Sequence, residues 1–385
     1  MTSKIVMGGL AGMFGVNCVS GLLIIVLLCG CPLSPYNALI WNRQNVGTNT
    51  GRIDTGPWFE WWYYKVVLPE TGDAFYFIYG VVDPWDTDGA DPSSHAYVGV
   101  GDFAAKQIVQ QTYPVADFLA AYERTDVRIG EQRATDTSIA GSLTDGGGGE
   151  VSWEIRISEP WSFNAMGWGM FVPDIVNIFW YPAQTDARFS GWVGFNGKHY
   201  AFENAPGYQD RNWGRSFPEW WAWIVANHFD GYPDTALAAG GGRPVILNAT
   251  DAIEGLAVGL RHEGKEYVFR PNEGARERFA INFGTWELEA ENPAGYRIEI
   301  EATAPCDSFM DLVFLTPQGE YFHDFETLTG DLILRLYERG GFLGACWEPI
   351  ETLHSDFAGI EYGRRDITAA DCLSTGQKVL FSNFE

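Results

Sequence analysis

The chain has 385 residues, of which 46% are hydrophobic and 15% aromatic, with 45 glycines and a formal net charge of −25. This length allows two domains, each with its own core, and the glycine and aromatic content favours β structure. The negative charge repels nucleic-acid phosphates and anionic lipid headgroups, so nucleic acid is excluded as an electrostatic partner.

The N-terminal segment has the composition of an export signal. One early cation, Lys4, precedes an uncharged run with its apolar centre at Gly21–Leu28, and Leu28–Cys31 (LCGC) follows. This order is typical of an exported precursor, and LCGC resembles a bacterial lipobox in which Cys31 would be acylated. An uncleaved membrane anchor is the alternative, because the uncharged stretch Ile5–Gly30 is long enough to span a bilayer. We therefore expect residues 1–31 to tether the protein to a membrane, as an exported bacterial lipoprotein or through an anchor.

Three cysteines follow that segment: Cys306, Cys346 and Cys372. Three residues so widely spaced allow at most one disulfide, and we expect them to be free and buried. The chain has no CxxC, HxH or HxxxH spacing, so we predict neither a metal site nor a cofactor.

The rest of the chain has the pattern of short antiparallel strands. Residues 32–57 are polar and turn-rich and are predicted to be a tether. Trp58–Leu68 and Ala74–Val82 form the first predicted hairpin, and Asn196-Gly197 joins two further strands, the strongest local hairpin signal in the chain. Similar hairpins recur up to Asp331–Tyr337, and no long helical period appears. We predict an all-β protein with an N-terminal β domain over 58–214, a C-terminal β domain over 215–385, and a cavity for an apolar ligand within or between them.

The stretch Ala205–Asn227 combines many large rings with polar groups. It contains Tyr208, Trp213, Phe217, Trp220, Trp221 and Trp223, and also Asp210, Arg211 and Asn212. A carboxylic acid enclosed by rings loses hydration, which favours its protonated form, and the ring faces stabilise a cation. Such a site suits the protonation of an alkene. The alternative is a Trp-rich core edge with a surface aspartate.

Several motifs occur in an order that resembles the tocopherol cyclase family and, more distantly, carotenoid 1,2-hydratases and related two-domain lipocalin-like proteins. They are Phe59–Val66 (FEWWYYKV), Ala205–Gly214 (APGYQDRNWG), Ser216–Pro218, Trp221-x-Trp223, Ala238–Gly242 (AAGGG) and Gly330–Glu338. The resemblance implies two lipocalin-like barrels or sandwiches. It also implies closure of a chromanol ring: a proton adds to the prenyl alkene of a prenylated hydroquinone, and the phenol oxygen traps the cation.

The resemblance, with the residues themselves, suggests roles for eight side chains. Asp210 would donate the proton, with Glu60 as the other candidate acid. Substrate contacts would come from Trp62, Tyr63, Tyr208, Asn212, Trp213 and His228. Three positions depart from the family: Asp210 stands where plant cyclases have Glu, Trp61 replaces a Gly, and His228 replaces an apolar residue. Structural roles are the alternatives, with Glu60 pairing with Lys65, Arg211 or Arg215, and Trp220–Trp223 packing in the core.

Two other functions fit the same scaffold. One is a different isoprenoid enzyme, either a hydratase that adds water to the alkene or a pericyclase that shapes a polyene. The other is a membrane-tethered, lipocalin-like carrier that uses the aromatic pocket only to bury an apolar ligand.

Overall fold

The computed structural model describes residues 35–41, 56–158, 161–246, 254–344 and 346–384. The predicted signal peptide or anchor, residues 1–31, and much of the predicted tether lie outside these ranges. Within them, no helix is both long enough and apolar enough to cross a bilayer.

Two large antiparallel sheets make up most of the described chain. The strands of the first sheet are β1 Phe59–Leu68, β2 Asp73–Val82, β3 His95–Asp102, β4 Gln107–Tyr113, β5 Phe118–Ala120, β6 Asp126–Ile129, β7 Gln132–Thr135, β8 Ser138–Thr144, β9 Glu150–Ser158, β10 Ile178–Phe195 and β11 Lys198–Gly214. Their order across the sheet is β4-β3-β2-β1-β11-β10-β9-β8-β7-β6-β5, and β4 also approaches β8, so the sheet curls on itself.

The second sheet begins at Trp220 and repeats this plan. Its strands are β12 Trp220–Ala226, β13 Ala236–Gly242, β14 Gly255–His262, β15 Lys265–Phe269, β16 Arg276–Asn282, β17 Thr285–Glu291, β18 Tyr296–Thr303, β19 Met310–Leu315, β20 Tyr321–Gly340, β21 Cys346–Arg364 and β22 Val379–Ser382. Their order is β15-β14-β13-β12-β21-β20-β18-β17-β16-β22, with β19 paired to β20. The predicted all-β class with two antiparallel units is confirmed.

The described helices are short 3₁₀ turns of three to five residues that lie between strands. They are Pro35–Asn37, Val115–Asp117, Gly167–Phe171, Pro271–Glu273, Cys306–Ser308, Phe342–Gly344, Ala369–Asp371 and Thr375–Gln377.

Strand β1 is covered on both faces, which explains its nearly continuous apolar sequence. Trp62 and Tyr64 point into the core inside the first sheet. Trp61 and Tyr63, one residue out of phase, point towards the second sheet. Because side chains alternate along a strand, neighbouring residues of β1 belong to two different cores.

The core between the sheets draws apolar side chains from both units. Its buried members include Trp61, Tyr76, Tyr208, Phe217, Trp223, Met310, Leu312 and Phe322. The aromatic pairs Trp61–Trp221 and Tyr63–Trp223 join the sheets at ring-centroid distances of 6.2 and 5.9 Å. A contact with this much buried aromatic surface fixes how the two units sit on each other.

Part of the predicted tether packs into the first unit. Ala38, Leu39 and Ile40 are buried, Trp62 Nε1 donates to the Asn37 carbonyl at 3.0 Å, and Leu39 N donates to Ala121 O at 2.9 Å. Residues 35–41 therefore belong to the folded unit.

A disulfide joins Cys306 to Cys372, and Cys346 is free and exposed. The limit of one disulfide holds and Cys346 is free as expected, but the expectation of free cysteines was wrong for Cys306 and Cys372, and the expectation of burial was wrong for Cys346. The pairing brings together two positions 66 residues apart, and the sequence alone cannot show that proximity.

Candidate active site

A cavity of about 510 Å³ lies between the two sheets and is walled mainly by aromatic and aliphatic side chains. Its walls include Trp61, Tyr63, Ile78, Ile178, Trp180, Trp221, Trp223, Leu312 and Phe314. Four carboxylic acids also line it: Asp210, Glu254, Asp324 and Glu361. A space of this size and composition is typical of a site for an apolar small molecule that carries a few polar groups.

Asp210 on β11 is the carboxyl group of the first sheet that faces the cavity. It is 4% exposed, and its Oδ2 accepts hydrogen bonds from Trp180 Nε1 and Tyr208 Oη, both at 2.8 Å. Burial raises the pKa of Asp210 to about 7, although these donors act in the opposite direction. At neutral pH a substantial fraction of the group is therefore protonated and able to donate.

The second sheet contributes three carboxyl groups, Asp324 and Glu326 on β20 and Glu361 on β21. An oxygen of each lies within 4.8 Å of the others. Burial, with a smaller contribution from the charge of Asp311, raises the pKa of Asp324 to about 8. Burial and repulsion from the neighbouring carboxylates raise the pKa values of Glu326 and Glu361 well above their usual range. Carboxyl groups this close must share protons, so the cluster holds protons at neutral pH.

Two hydrogen bonds tie this cluster to the cavity wall. Tyr63 Oη, on the first sheet, donates to Glu326 Oε1, and Trp221 Nε1 donates to Asp324 Oδ1 at 2.9 Å. The Tyr63–Glu326 bond crosses between the sheets, so it fixes the cluster relative to β1, where Tyr63 pairs with Asp210.

Lys65 is buried beside this cluster. Its side chain is fully inaccessible, and within the described residues its Nζ has no hydrogen-bond partner. Burial lowers the pKa of Lys65 to about 8, against the opposing effect of Glu326. The three carboxylates could supply oxygen ligands to a metal ion, but a neighbouring ammonium group disfavours a second cation there.

Glycines create the room for the indole rings of the wall. A Cβ on Gly240 would lie 3.0 Å from the Trp180 ring, and one on Gly363 would lie 2.4 Å from Trp221 Nε1. The AAGGG run of β13 therefore serves the site because Trp180 occupies the space that a side chain would fill.

The comparison with protein families gives one match that covers most of the chain. The family model described as tocopherol cyclase-like matches residues 56–146 and 124–364. The chain belongs to the tocopherol cyclase-like family. The predicted resemblance, and the prediction of an enzyme of this kind, are thereby confirmed.

Two plant proteins of the family are similar over most of their length. A probable chloroplastic tocopherol cyclase of Oryza sativa subsp. japonica is 27% identical over 360 residues, covering 80% of this chain and 75% of the relative. A chloroplastic tocopherol cyclase of Zea mays is 26% identical with the same coverage. Among solved structures, kievitone hydratase from Nectria haematococca aligns with a TM-score of 0.46 and 11% identity, covering 80% of this chain and 89% of that one.

In this member of the tocopherol cyclase-like family, the cavity brings together part of the predicted site. Asp210, Tyr63 and Asn212 line it. Tyr208 is fully buried behind Asp210 and positions that carboxyl group, while Trp223 Nε1 donates to Tyr208 Oη at 3.3 Å. The acid is thus held by a chain of donors that starts in the second sheet.

Glu60 lies on the opposite face of β1, away from the cavity. It forms a fully buried ion pair with Arg211 and accepts from Ile40 N at 3.1 Å and Trp58 Nε1 at 3.0 Å. Burial raises the pKa of Glu60, and Arg211 acts against that rise. Of the alternatives raised from the sequence, pairing with Arg211 is the one found. The structure therefore does not place Glu60 where it could protonate a ligand in the cavity.

Trp62 and Trp213 share the environment of Glu60. The guanidinium carbon of Arg211 lies 4.3 Å from the ring centroid of Trp62 and 5.1 Å from that of Trp213. These rings stabilise a cation, as predicted for their type, but the cation is an arginine of the protein. Neither ring lines the cavity, because their positions alternate with those of Tyr63 and Asn212.

His228 also lies outside the cavity lining. Its ring contacts Phe357 at a centroid distance of 5.7 Å, and Asp230 and Asp356 lie nearby. The structure does not bring His228 together with Asp210.

The sequence reasoning missed several residues of the site. Trp180, Asp324, Glu326 and Glu361 were not singled out, and Trp221 and Trp223 were interpreted as core although both line the cavity. A signal was present in β20, where Asp324 and Glu326 stand two residues apart on either side of Phe325. Two carboxylates at that spacing lie on one face of a strand, and such a face must either contact solvent or line a functional site.

Proposed function

We propose that the protein closes a chromanol ring by protonating the prenyl alkene of a prenylated hydroquinone. The observation that carries the proposal is Asp210, an acid with a pKa of about 7 inside an apolar, ring-lined cavity. Membership of the tocopherol cyclase-like family supports the substrate class.

The proposed reaction needs one proton donor and one proton acceptor. The Asp210 O–H bond breaks as its proton forms a C–H bond with the less substituted alkene carbon, which leaves a tertiary cation. The phenol oxygen then bonds to that cation, and its own proton passes to the carboxylate left on Asp210, directly or by relay through the Asp324–Glu326–Glu361 cluster. One proton enters and one leaves, so the substrate and the product have the same composition. Proton exchange through the cluster returns Asp210 to its acid form.

The cavity wall would stabilise the intermediate cation. Trp180, Trp223 and Tyr63 surround Asp210, and each aromatic face contributes about 0.5 to 2 kcal/mol to a nearby cation. Exclusion of water by these rings favours capture of the cation by the phenol oxygen over capture by solvent. The aliphatic part of the wall, including Ile178 and Leu312, would hold the prenyl tail.

A product analysis in heavy water tests this function. The full chain would be incubated in D₂O with a prenylated hydroquinone, and the product analysed by mass spectrometry and NMR. We expect a chromanol with one carbon-bound deuterium and no added oxygen. Addition of the elements of water would show a hydratase instead. Tight binding of a substrate that is returned unchanged and unlabelled would show a carrier.

We also propose that the protein is exported and held at a membrane by its N-terminal segment. The lipobox-like Leu28–Cys31 and the Cys306–Cys372 disulfide support this, because disulfides persist mainly outside the reducing cytosol. Mass spectrometry of the purified N-terminus tests the proposal. A lipid-modified Cys31 would show the lipoprotein, intact Met1 in a membrane fraction would show the anchor, and an unmodified soluble chain would overturn both.

A further inference from the structure

Two segments at the edge of the cavity carry four exposed large hydrophobic side chains: Trp168, Phe171, Val172 and Val245, called here the mouth patch. Phe171 is 68% exposed and Trp168 is 51% exposed. Both lie on the 3₁₀ turn Gly167–Phe171. In the described chain, eleven large hydrophobic side chains are exposed, and the mouth patch accounts for four of them. Exposed apolar side chains that cluster in this way indicate a binding surface.

The mouth patch is continuous with the cavity wall. Trp168 itself lines the cavity, as do Val176 and Ile246, which pair as an isolated β bridge. Val245 is joined to Asn177 by backbone and side-chain hydrogen bonds of 3.0 and 2.7 Å. Because Trp168 both lines the cavity and is half exposed, the cavity reaches the surface of the protein beside the patch.

Hydrogen bonds hold the patch in its exposed position. Trp168 Nε1 donates to Asn272 O at 3.0 Å, and Asn272 Nδ2 donates back to Met166 O at 2.9 Å. Gly169 N donates to Met166 O at 3.0 Å within the same turn. Trp168 thus presents its ring to the outside although the second sheet anchors its only polar atom.

The position of residues 36–40 indicates what covers the patch. The ring of Tyr36 lies 6.1 Å from that of Phe171, and Ile40 packs in one cluster with Met170. Only four residues separate Cys31 from Tyr36, so a fully extended chain places Cys31 within about 18 Å of it. The uncharged run Ile5–Gly30 ends immediately before that point. A membrane held by this segment would therefore lie on the same side of the molecule as the mouth patch.

We propose that the mouth patch inserts into the interfacial region of a lipid bilayer and that the cavity takes up its apolar ligand from the bilayer through this mouth. Tryptophan and phenylalanine side chains favour the membrane interface. The net charge of −25 selects an uncharged or zwitterionic lipid surface over an anionic one. The passage of a prenylated hydroquinone through the mouth rests on the proposed function, and the side on which the bilayer lies rests on the proposed N-terminal tether.

A depth measurement tests the insertion without any assay of activity. An environment-sensitive fluorescent amino acid would replace Phe171 in the full chain. The labelled protein would then be reconstituted into phosphatidylcholine vesicles that contain a doxyl-labelled lipid as the fluorescence quencher. The control position is Leu119, which is 65% exposed on β5. We expect quenching at position 171 to exceed that at position 119 by about fivefold or more, as for a side chain buried in the acyl boundary. Equal quenching at the two positions would overturn the proposal.

A pair of variants tests the route of uptake. Phe171→Ser with Val172→Ser removes half of the patch and leaves the cavity lining intact, while Leu119→Ser is the matched control. With a long-chain hydroquinone embedded in vesicles, we expect the double variant to form product about tenfold more slowly than the unmodified protein. The control variant should form product at the unmodified rate. With a short-chain hydroquinone in solution, both should match the unmodified protein. An equal loss on both substrates would contradict uptake through the mouth. If no chain forms product, the proposed function fails while the quenching result still stands.

Discussion

Glu60 and Asp210 are both buried carboxyl groups on neighbouring strands of one sheet, yet their surroundings differ in one respect. Glu60 faces the inside of the first unit and is paired with the guanidinium group of Arg211. Asp210 faces the cavity and accepts from the uncharged donors of Trp180 and Tyr208. Burial raises the pKa of both groups, but a guanidinium group acts against the rise at Glu60, whereas only uncharged hydrogen-bond donors act against it at Asp210.

The contrast extends to the aromatic residues around each acid. Trp62 and Trp213 stack on Arg211, while Trp180 and Trp223 face the cavity. The same type of ring therefore stabilises a protein cation on one face of the sheet and is available to a substrate cation on the other. The position of the protein's own positive charge, more than burial or ring content, separates a structural acid from a candidate catalytic one.

Asp210→Asn should have the largest effect on the reaction. The amide keeps the shape and the hydrogen bonds of the side chain but cannot donate a proton to carbon, so we expect kcat to fall by about 10²- to 10⁴-fold. Rates of chromanol formation measure this, and chemical denaturation should show a fold at least as stable as the unmodified one. A kcat within threefold of the unmodified protein would remove Asp210 from the mechanism.

Glu60→Gln should have the opposite effects: a loss of stability with little change in kcat. The substitution leaves the guanidinium group of Arg211 buried without a counter-charge, which destabilises the fold by about 3 to 5 kcal/mol. Denaturant titration measures the loss, and the molecules that remain folded should keep their kcat. If stability were unchanged and kcat fell, Glu60 would be the catalytic acid and its ion pair with Arg211 would not have a structural role.

The rate should depend on pH through Asp210. The raised pKa means that the acid form persists up to about pH 7 and is lost above it. We expect kcat to be level below pH 7 and to fall about tenfold per pH unit well above it. A profile that rises with pH across this range would exclude a protonated Asp210 as the donor. The Glu60→Gln protein should show the same profile as the unmodified one.

Trp180→Phe should have the smallest effect on the rate, and it should act on the pKa of Asp210 alone. The indole N–H bond lowers the pKa of Asp210, so its removal should raise that pKa and move the falling limb of the profile to higher pH by up to about one unit. Trp221→Phe is the matched control, because that indole bonds Asp324 instead. An identical shift in both variants would show a general effect on the cavity.

The sequence predicts the fold well because its signals are local. The apolar run of β1, the strand after it and the Asn196-Gly197 turn are all found, and the turn has the positive φ angles of 47° and 82° that its residues favour. Asp210 is likewise identified correctly as a buried acid among rings.

The rest of the site could not be obtained in this way. Both faces of β1 are apolar, so no pattern indicates that Tyr63 faces the cavity and that Trp62 does not. Asp324 and Glu361 reach the site only because β20 and β21 pack against β1, a contact between residues more than 250 positions apart. Proximity of that kind depends on tertiary packing and leaves no local signal in the chain.

The alternation of Asp210 and Arg211 on β11 also constrains how the family can evolve. Inserting one residue between Gly197 and Asp210 without a compensating bulge would turn the guanidinium group into the cavity and the carboxyl group into the core of the first unit. The partner strand β10 already has three register shifts along this pairing. Lineages that change the length of this hairpin should therefore do so by even numbers of residues, or by moving one of those irregularities.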